Sequence, residues 1–445
     1  MNTLLLALAI LSLALLLWQW GEAWRFPLHR RRQADGFAPA LSLLKPLKGC
    51  DAETEACLRS WLAQEYAGPV QVLFLVAADD DPAVALVRQL IAEHPQRTAE
   101  LVVCPERLGP NSKVSKLAQA APHARHGVLV VSDADVHVPP GFLGELVAPL
   151  RDERVVLVSP FYEMATPTTV AMHWEAVAVN ADFWSSVLQA RRLGGMRFAL
   201  GAVMAVRREA LEQAGGFGAL VKHLADDYEL GHRLTAASHE PHRCYPNSVP
   251  GGTKFGSRRF MAGEQVRKER EALREPTLTP ALSRRTGEGA RRAGEGTPGT
   301  ARPTIALCPT VVACREAPRG WGAVWRHQLR WARTIRHCQP LPYAFSLLSN
   351  PTLWVLSWAA TTRHAAAWVG VGLCLACRLA MAAHCQWRLT RSWRHLPWLW
   401  LAPVKDLLQA ALWVMAFVGR TVEWRGERYR VLPGGTLSPC TGFDR

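Results

Sequence analysis

The sequence predicts an α/β domain with apolar helices at both ends. Three observations carry this prediction. Strand and helix signals alternate from residue 38 to about 240, residues 3–20 are almost purely apolar, and long apolar stretches return after residue 340.

The first apolar stretch carries Trp18, Trp20 and Trp24 and ends at Arg25, Arg30, Arg31 and Arg32. A cleaved signal peptide places its charges before the apolar run and small residues after it, and this order is reversed. Residues 1–24 are therefore expected to be an anchor, with the N-terminus outside and the following arginines in the cytoplasm. A catalytic α/β domain is expected over 38–246, with a mainly parallel sheet. Its strands are read at Leu41–Leu44, Val70–Val76, Leu101–Val103 and Val128–Val131, and its helices at Glu53–Tyr66 and from Ala83 to about Glu93. Such sheets bind ligands at the carboxyl ends of their strands. Lys48, Asp79–Asp81, Asp133 and Asp135 all fall there.

Residues 247–304 are rich in Arg, Glu, Gly, Pro and Thr without apolar periodicity, which predicts a disordered insertion with no function of its own. An interfacial helix region is expected over 305–340, because Trp321, Val324, Trp325, Gln328 and Trp331 recur at helical spacing with arginines between them. Within 341–420, three apolar segments are read at 341–362, 364–384 and 396–419. The first two are long enough to cross the ~30 Å hydrocarbon core as a hairpin turning at Thr361-Thr362-Arg363-His364. The third holds Pro403, Lys405 and Asp406 and is expected to be re-entrant or interfacial. Residues 421–445 complete the chain as a basic cytoplasmic tail.

Composition narrows the function. Of 445 residues 49% are hydrophobic, yet the formal net charge is +15. The basic residues flank apolar stretches (Arg388, Arg391 and Arg394, then Arg425, Arg428 and Arg430), the pattern of a protein with a basic face on a bilayer. No nucleic-acid-binding motif is present. The eleven cysteines follow no framework, and Cys374-x-x-Cys377 lies inside an apolar run with no second pair, so a reducing compartment is expected for the polar part.

The chemistry is concentrated in three places. Val130-Val131-Ser132-Asp133-Ala134-Asp135 is an apolar strand ending in carboxylates two apart, which point the same way on extended backbone. Such a pair holds a hard cation, Mg²⁺ or Mn²⁺, against a diphosphate, with Asp135 as direct ligand and Asp133 toward the ribose or the metal. Asp226-Asp227 opens a helix read at Tyr228–Ala236. Asp226 is expected to cap it, and Asp227 to act as a base whose pKa its neighbour raises. Arg330 suits a diphosphate and Trp331 suits stacking on an acceptor or closing the site. Lys113, in Gly109-Pro110-Asn111-Ser112-Lys113, suits a nucleotide contact, and Gly201 marks either a close backbone approach or a bulge. Together these residues predict a metal-dependent transferase of nucleotide-activated sugars working at a membrane surface.

The set Lys45-Pro46-Leu47-Lys48-Gly49, Asp80-Asp81-Pro82-Ala83, Asp133-x-Asp135, Ala225-Asp226-Asp227-Tyr228 and Arg330-Trp331 occurs in the order seen in ceramide glucosyltransferases, which the chain resembles outside about 245–304. Those are family 2-type, inverting enzymes of the GT-A (nucleotide-diphospho-sugar transferase, Rossmann-like) fold. His327-Gln328-Leu329-Arg330-Trp331-Ala332-Arg333-Thr334 and Val422-Glu423-Trp424-Arg425-Gly426 resemble more closely the bacterial relatives associated with hopanoid biosynthesis. The resemblance implies transfer of N-acetylglucosamine or glucose from a UDP-sugar to a hopanoid or ceramide-like lipid. It also implies a multi-pass inner-membrane location with the catalytic domain cytoplasmic. By position it makes Asp135 the metal-binding carboxylate, Asp227 the base, and Arg330 and Trp331 the pair of an R-W motif. Two positions depart from the pattern: Ala78 stands for the first motif aspartate, shifting its uracil or ribose role to Asp79 or Asp80, and His327 stands for Gln or Arg. The rival readings are a ceramide glucosyltransferase, a processive polysaccharide synthase and a catalytically dead membrane scaffold.

Overall fold

The computed structural model describes residues 2–30, 36–236, 302–362, 364–424 and 427–440. The low-complexity segment lies outside the described residues as far as 301, as do Arg31, Arg32, Arg363 and Arg425.

In chain order the elements are α1 (Asn2–Arg25), β1 (Leu41–Pro46), α2 (Thr54–Leu62), β2 (Val70–Val76), α3 (Ala83–Glu93), β3 (Thr98–Val103), α4 (Ser112–Ala120), β4 (Val128–Ser132), β5 (Val136–His137), α5 (Phe142–Val147), β6 (Val155–Met164) and α6 (Val170–Val177). A π-helical turn, Ala178–Phe183, runs from α6 into α7 (Trp184–Gly194). Then come β7 (Val203–Arg207), α8 (Arg208–Gln213), α9 (Asp226–Ala236), β8 (Thr304–Cys314), α10 (Trp321–Cys338), α11 (Pro340–Phe345), α12 (Pro351–Thr362), α13 (Ala365–Thr390) and α14 (Leu401–Phe417). The described chain closes with β9 (Thr421–Trp424), β10 (Glu427–Val431) and β11 (Leu437–Pro439).

Eight strands form one sheet in the order β3-β2-β1-β4-β7-β6-β8-β5. The expected parallel sheet is found only in its first half, where β3, β2, β1 and β4 run together. Beyond β4 the sheet is mixed: β7 is antiparallel to β4 and β6, β8 is parallel to β6, and β5 is antiparallel to β8. Both faces are covered. Leu44, Leu73, Leu129 and Val131 pack into one core, and their neighbours Leu43, Val72, Phe74 and Val130 into the other, the period of two that an internal sheet requires. This is a mixed α/β sheet, with helices at both ends.

Three expectations need correction. Residues 304–314 are not part of the interfacial helix region: they form β8, inserted between β6 and β5, so chain beyond the low-complexity segment completes the catalytic sheet. The apolar stretch 341–362 is not one crossing. Pro340 and Pro351 each start a helix, and Asn350 caps the second through Leu353 N–H (3.0 Å), leaving α12 at 12 residues, about 18 Å. Among the described residues the helices long and apolar enough to cross a membrane are α1 (24 residues) and α13 (26 residues). Finally, the stretch expected to be a basic tail is folded over 421–439. Val422, Tyr429, Val431 and Leu437 alternate onto one face of a three-stranded sheet, which packs against Leu224.

The apolar helices are fused to the domain rather than tethered to it. Met381 and Ala382 of α13 and Leu412 of α14 share a core with Trp174 and Trp184. Gln19 of α1 donates to Ser185 Oγ of α7 at 2.7 Å.

Candidate active site

The carboxyl end of β4 supplies the first carboxylates. Asp133 N–H donates to Ala202 O (3.0 Å), and Arg315 N–H, just after β8, donates to Asp135 O (2.9 Å), so both ends of the Asp133–Asp135 turn are pinned by the sheet. Beneath it lies Lys45, fully buried at the end of β1, donating to Ser132 Oγ (3.0 Å) and to the Asp133 carbonyl. Burial pulls the Lys45 ammonium down to about 8, against the pull of Asp135 and Asp133. The sequence motif contains Lys45 but assigns it no role, although a lysine directly after the apolar run Leu41–Leu44 is a visible signal.

The second pair comes from α9. Gly109 approaches Val221 so closely that a Cβ there would lie 2.6 Å from the Val221 carbonyl oxygen, and Asn111 N–H donates to that oxygen at 3.0 Å. Asn111 also caps α4 through Val114 N–H (3.1 Å) and donates to His223 O (2.9 Å) and Asp226 Oδ1 (3.4 Å). From the other side, Leu437 N–H donates to Lys222 O (2.7 Å) and Leu224 N–H to Gly435 O (3.1 Å). The loop presenting Asp226 and Asp227 is thus held between α4 and the last sheet. Asp226 is not the helix cap the sequence suggested, because its carboxylate turns inward to Lys113 and Asn111.

Lys113 joins the two pairs. Its Nζ stands 2.7 Å from Asp133 Oδ1 and 3.4 Å from Asp226 Oδ2, with the residue only 9% exposed. Burial opposes its charge, but the Asp133 and Asp226 carboxylates outweigh burial and hold it well above the ordinary lysine value. Asp135 is pushed up to about 6 by burial and by Asp133, and Asp227 up to about 6 by burial and by Asp226. Asp133, Asp135, Asp226 and Asp227 therefore face Lys45 and Lys113, four negative charges against two positive ones.

That excess suits a divalent cation. Asp135 makes no ion pair within 4 Å among the described residues and shares its turn with Asp133. Two carboxylates completed by phosphate oxygens and water form the donor set a hard cation takes. Among the described residues no third His, Cys, Asp or Glu joins them.

Asp227 is also placed by a glycine. A Cβ at Gly201 would lie 2.8 Å from Asp227 Oδ2 and 3.2 Å from its Cγ, so the close approach, not a bulge, is the reading that holds. Gly201→Ala is expected to displace the Asp227 carboxylate, since a Cβ so close leaves it no room, and a crystal structure of the variant checks this.

The remaining predicted residues spread around this centre. Lys48 is exposed at the end of β1, near Glu427 of β10. Asp79 is exposed and pairs with Arg88 at 3.4 Å, and Asp80 is exposed beside it. The β2 loop is instead tied inward by Asp81, whose Oδ1 accepts from Gly49 N–H and Ala83 N–H, both at 2.9 Å. Arg330 is half-buried on α10. Trp331 packs edge-on to His327 (4.8 Å) and 6.2 Å from Phe183 of the π-helical turn. His327, the departure from the motif, is held by Glu175 of α6: its Nδ1 lies 2.7 Å from Oε1, which Gln328 also reaches at 2.9 Å, while Arg319 holds Oε2 at 2.5 Å. Burial resists the charge of Glu175, only 1% exposed, but the His327 and Arg319 contacts keep its carboxyl below the ordinary value. A lone acid in the apolar helix Val170–Val177 was the missed signal.

The sequence model described as glycosyl transferase family 21 matches residues 4–242 and 299–437. Ceramide glucosyltransferase 1 of Caenorhabditis elegans is 25% identical over 212 residues, 47% of this chain and 45% of that protein. Ceramide glucosyltransferase of Candida albicans is 31% identical over 122 residues, 25% of this chain and 22% of that one. The chain thus spans less than half the length of these curated relatives. Among solved structures, the mannosyltransferase PcManGT from Pyrobaculum calidifontis, in complex with GDP-Man and Mn²⁺, is 18% identical with a TM-score of 0.45, covering 92% of this chain and 97% of that one. Glucosyl-3-phosphoglycerate synthase from Mycobacterium tuberculosis, with Mn²⁺, UDP-glucose and phosphoglyceric acid, is 16% identical with a TM-score of 0.34, covering 68% and 84%.

Proposed function

The chain belongs to glycosyl transferase family 21, and we propose that it is a membrane-bound inverting glycosyltransferase moving N-acetylglucosamine or glucose from a UDP-sugar to a lipid alcohol. The observation that carries this reading is the meeting of Asp133 and Asp226 at Lys113, with Asp135 and Asp227 within its electrostatic reach, in a domain whose core is continuous with apolar helices. Asp135, with Asp133, would hold Mg²⁺ or Mn²⁺, whose charge offsets that of the departing diphosphate. Lys113 contacts the donor phosphates and keeps Asp133 oriented, while Lys48, Asp79 and Asp80 line the nucleotide end. Asp227 takes the proton of the acceptor hydroxyl, whose oxygen attacks the anomeric carbon from the face opposite UDP, inverting it. Arg330 faces the diphosphate, and Trp331 borders the acceptor path.

The acceptor is read as a hopanoid alcohol of the bacteriohopanetetrol type, from the resemblance around His327–Thr334 and Val422–Gly426. A ceramide is the second reading, supported by the names of the curated relatives. Mass spectrometry of lipids incubated with the solubilised protein, a UDP-sugar and Mg²⁺ separates them. An N-acetylhexosamine adduct on the hopanoid alone is the expected result, and a hexose adduct on ceramide alone moves the assignment to the second reading. No adduct on any lipid overturns the proposal.

A pH profile is a further expectation. Burial and Asp226 raise the Asp227 carboxyl to about 6, and only its ionised form accepts a proton. Transfer per unit of bound donor is therefore full above about pH 7 and falls tenfold per pH unit well below 6. A profile flat from pH 5 to 8 would assign the base elsewhere.

A further inference from the structure

A cavity of about 290 Å³ lies between α1, the π-helical turn, α10 and the apolar helices after it. Leu16, Phe183, Trp331, Ile335 and Trp413 give it apolar walls. Its polar floor is a closed set of charges. Arg378 of α13 donates to Asp406 Oδ2 of α14 (Nε, 2.9 Å) and to Asp182 Oδ2 of the π-helical turn (Nη2, 2.8 Å), and Lys405 reaches Asp182 Oδ2 at 2.7 Å. Two cations meet two carboxylates, so the floor is neutral.

Two donors are left over. Arg378 is 1% exposed, yet its Nη1 has no hydrogen-bond partner among the described residues. The hydroxyl of Tyr343, a residue 5% exposed, is in the same condition. Both residues line the cavity. A buried donor without an acceptor is costly, and a ligand oxygen that either donor reaches by a small side-chain rotation would remove part of that cost.

We propose that this cavity binds the oxygen-bearing, uncharged part of the lipid acceptor, with Arg378 Nη1 and Tyr343 Oη donating hydrogen bonds to its hydroxyl or carbonyl oxygens. The proposal rests on the reading of the chain as a lipid glycosyltransferase. An anionic headgroup is disfavoured because the charge of Arg378 is already matched and the Asp182 and Asp406 carboxylates stand on the same floor. The cavity is one aromatic layer from the chemistry: Phe183 lies 6.2 Å from Trp331 and 5.4 Å from Tyr162, which sits within the electrostatic reach of Asp227 and Asp133.

The test is equilibrium binding of tritiated ceramide and of a tritiated hopanoid polyol to the full chain in nanodiscs, with phosphatidylglycerol as competitor. Tyr343→Phe removes one leftover donor and no protein hydrogen bond, so the fold is kept. It is expected to weaken binding of the preferred neutral lipid about 3- to 10-fold. Val414→Ala, on the exposed face of α14, serves as the control and leaves binding unchanged. Unaltered affinity in Tyr343→Phe, or displacement of the neutral lipid by equimolar phosphatidylglycerol, overturns the proposal. Weakened binding in a protein that glycosylates no lipid supports the cavity and overturns the transferase reading instead.

Discussion

Asp227→Asn is expected to lower turnover by about 10²- to 10⁴-fold, the usual worth of a positioned general base, while UDP-sugar affinity stays within a few-fold of wild type. Asparagine keeps the shape of the side chain and the oxygen that accepts from Tyr228 N–H at 2.8 Å. It also occupies no more of the narrow space beside Gly201 than aspartate does. Lys113 retains Asp133 and Asp226, so the donor side is undisturbed. What is lost is the ability to accept a proton. Calorimetric titration of the nucleotide sugar together with turnover measurement checks both halves, and turnover within threefold of wild type would assign the base to another residue.

Asp135→Ala is the second large effect. Of the four carboxylates at the site, Asp133 and Asp226 pair with Lys113 while Asp135 and Asp227 make no ion pair among the described residues, and Asp135 is the one that is buried with Asp133 beside it on the same turn. Its removal is expected to reduce transfer by about 10²- to 10³-fold, the size seen when one group holding developing charge is deleted. The apparent affinity for Mn²⁺ or Mg²⁺ falls with it. Because Asp135 contributes its backbone, not its side chain, to the Arg315 hydrogen bond, the turn is expected to stay in place. A metal titration of transfer, wild type against variant, reads both changes. An unchanged metal requirement would move the cation elsewhere.

The sequence made the first half of the fold legible because period-two apolar runs and strand-end carboxylates are local signals. Val70–Val76 and Ala83–Glu93 are found at those same limits. What it did not disclose depends on distant partners. β8 enters the sheet beside β6, after an interruption of more than sixty residues, and no local pattern announces such a neighbour. The last strands look like a basic tail because their outward side chains are charged, yet Val422, Tyr429 and Val431 alternate inward to brace the Asp226–Asp227 loop. The carboxylates of the site were readable from their spacing. Lys45 and Glu175 were not, since each acts on a group far away in sequence and stands alone among apolar neighbours. In the sequence, Lys405 and Asp406 weigh against a full membrane crossing. In the fold they meet Arg378 and Asp182 and tie the apolar helices to the π-helical turn.

The central claim is that this site transfers sugar to a membrane lipid. The measurement that tests it most directly is the partition of radiolabel from a UDP-sugar into the organic phase, by matched amounts of wild type and Asp227→Asn in membranes with Mn²⁺. Label in the organic phase with wild type, and at most one hundredth of it with the variant, is the expected result. Label that stays in water or enters a polymer with wild type, or equal extraction by both proteins, would contradict it.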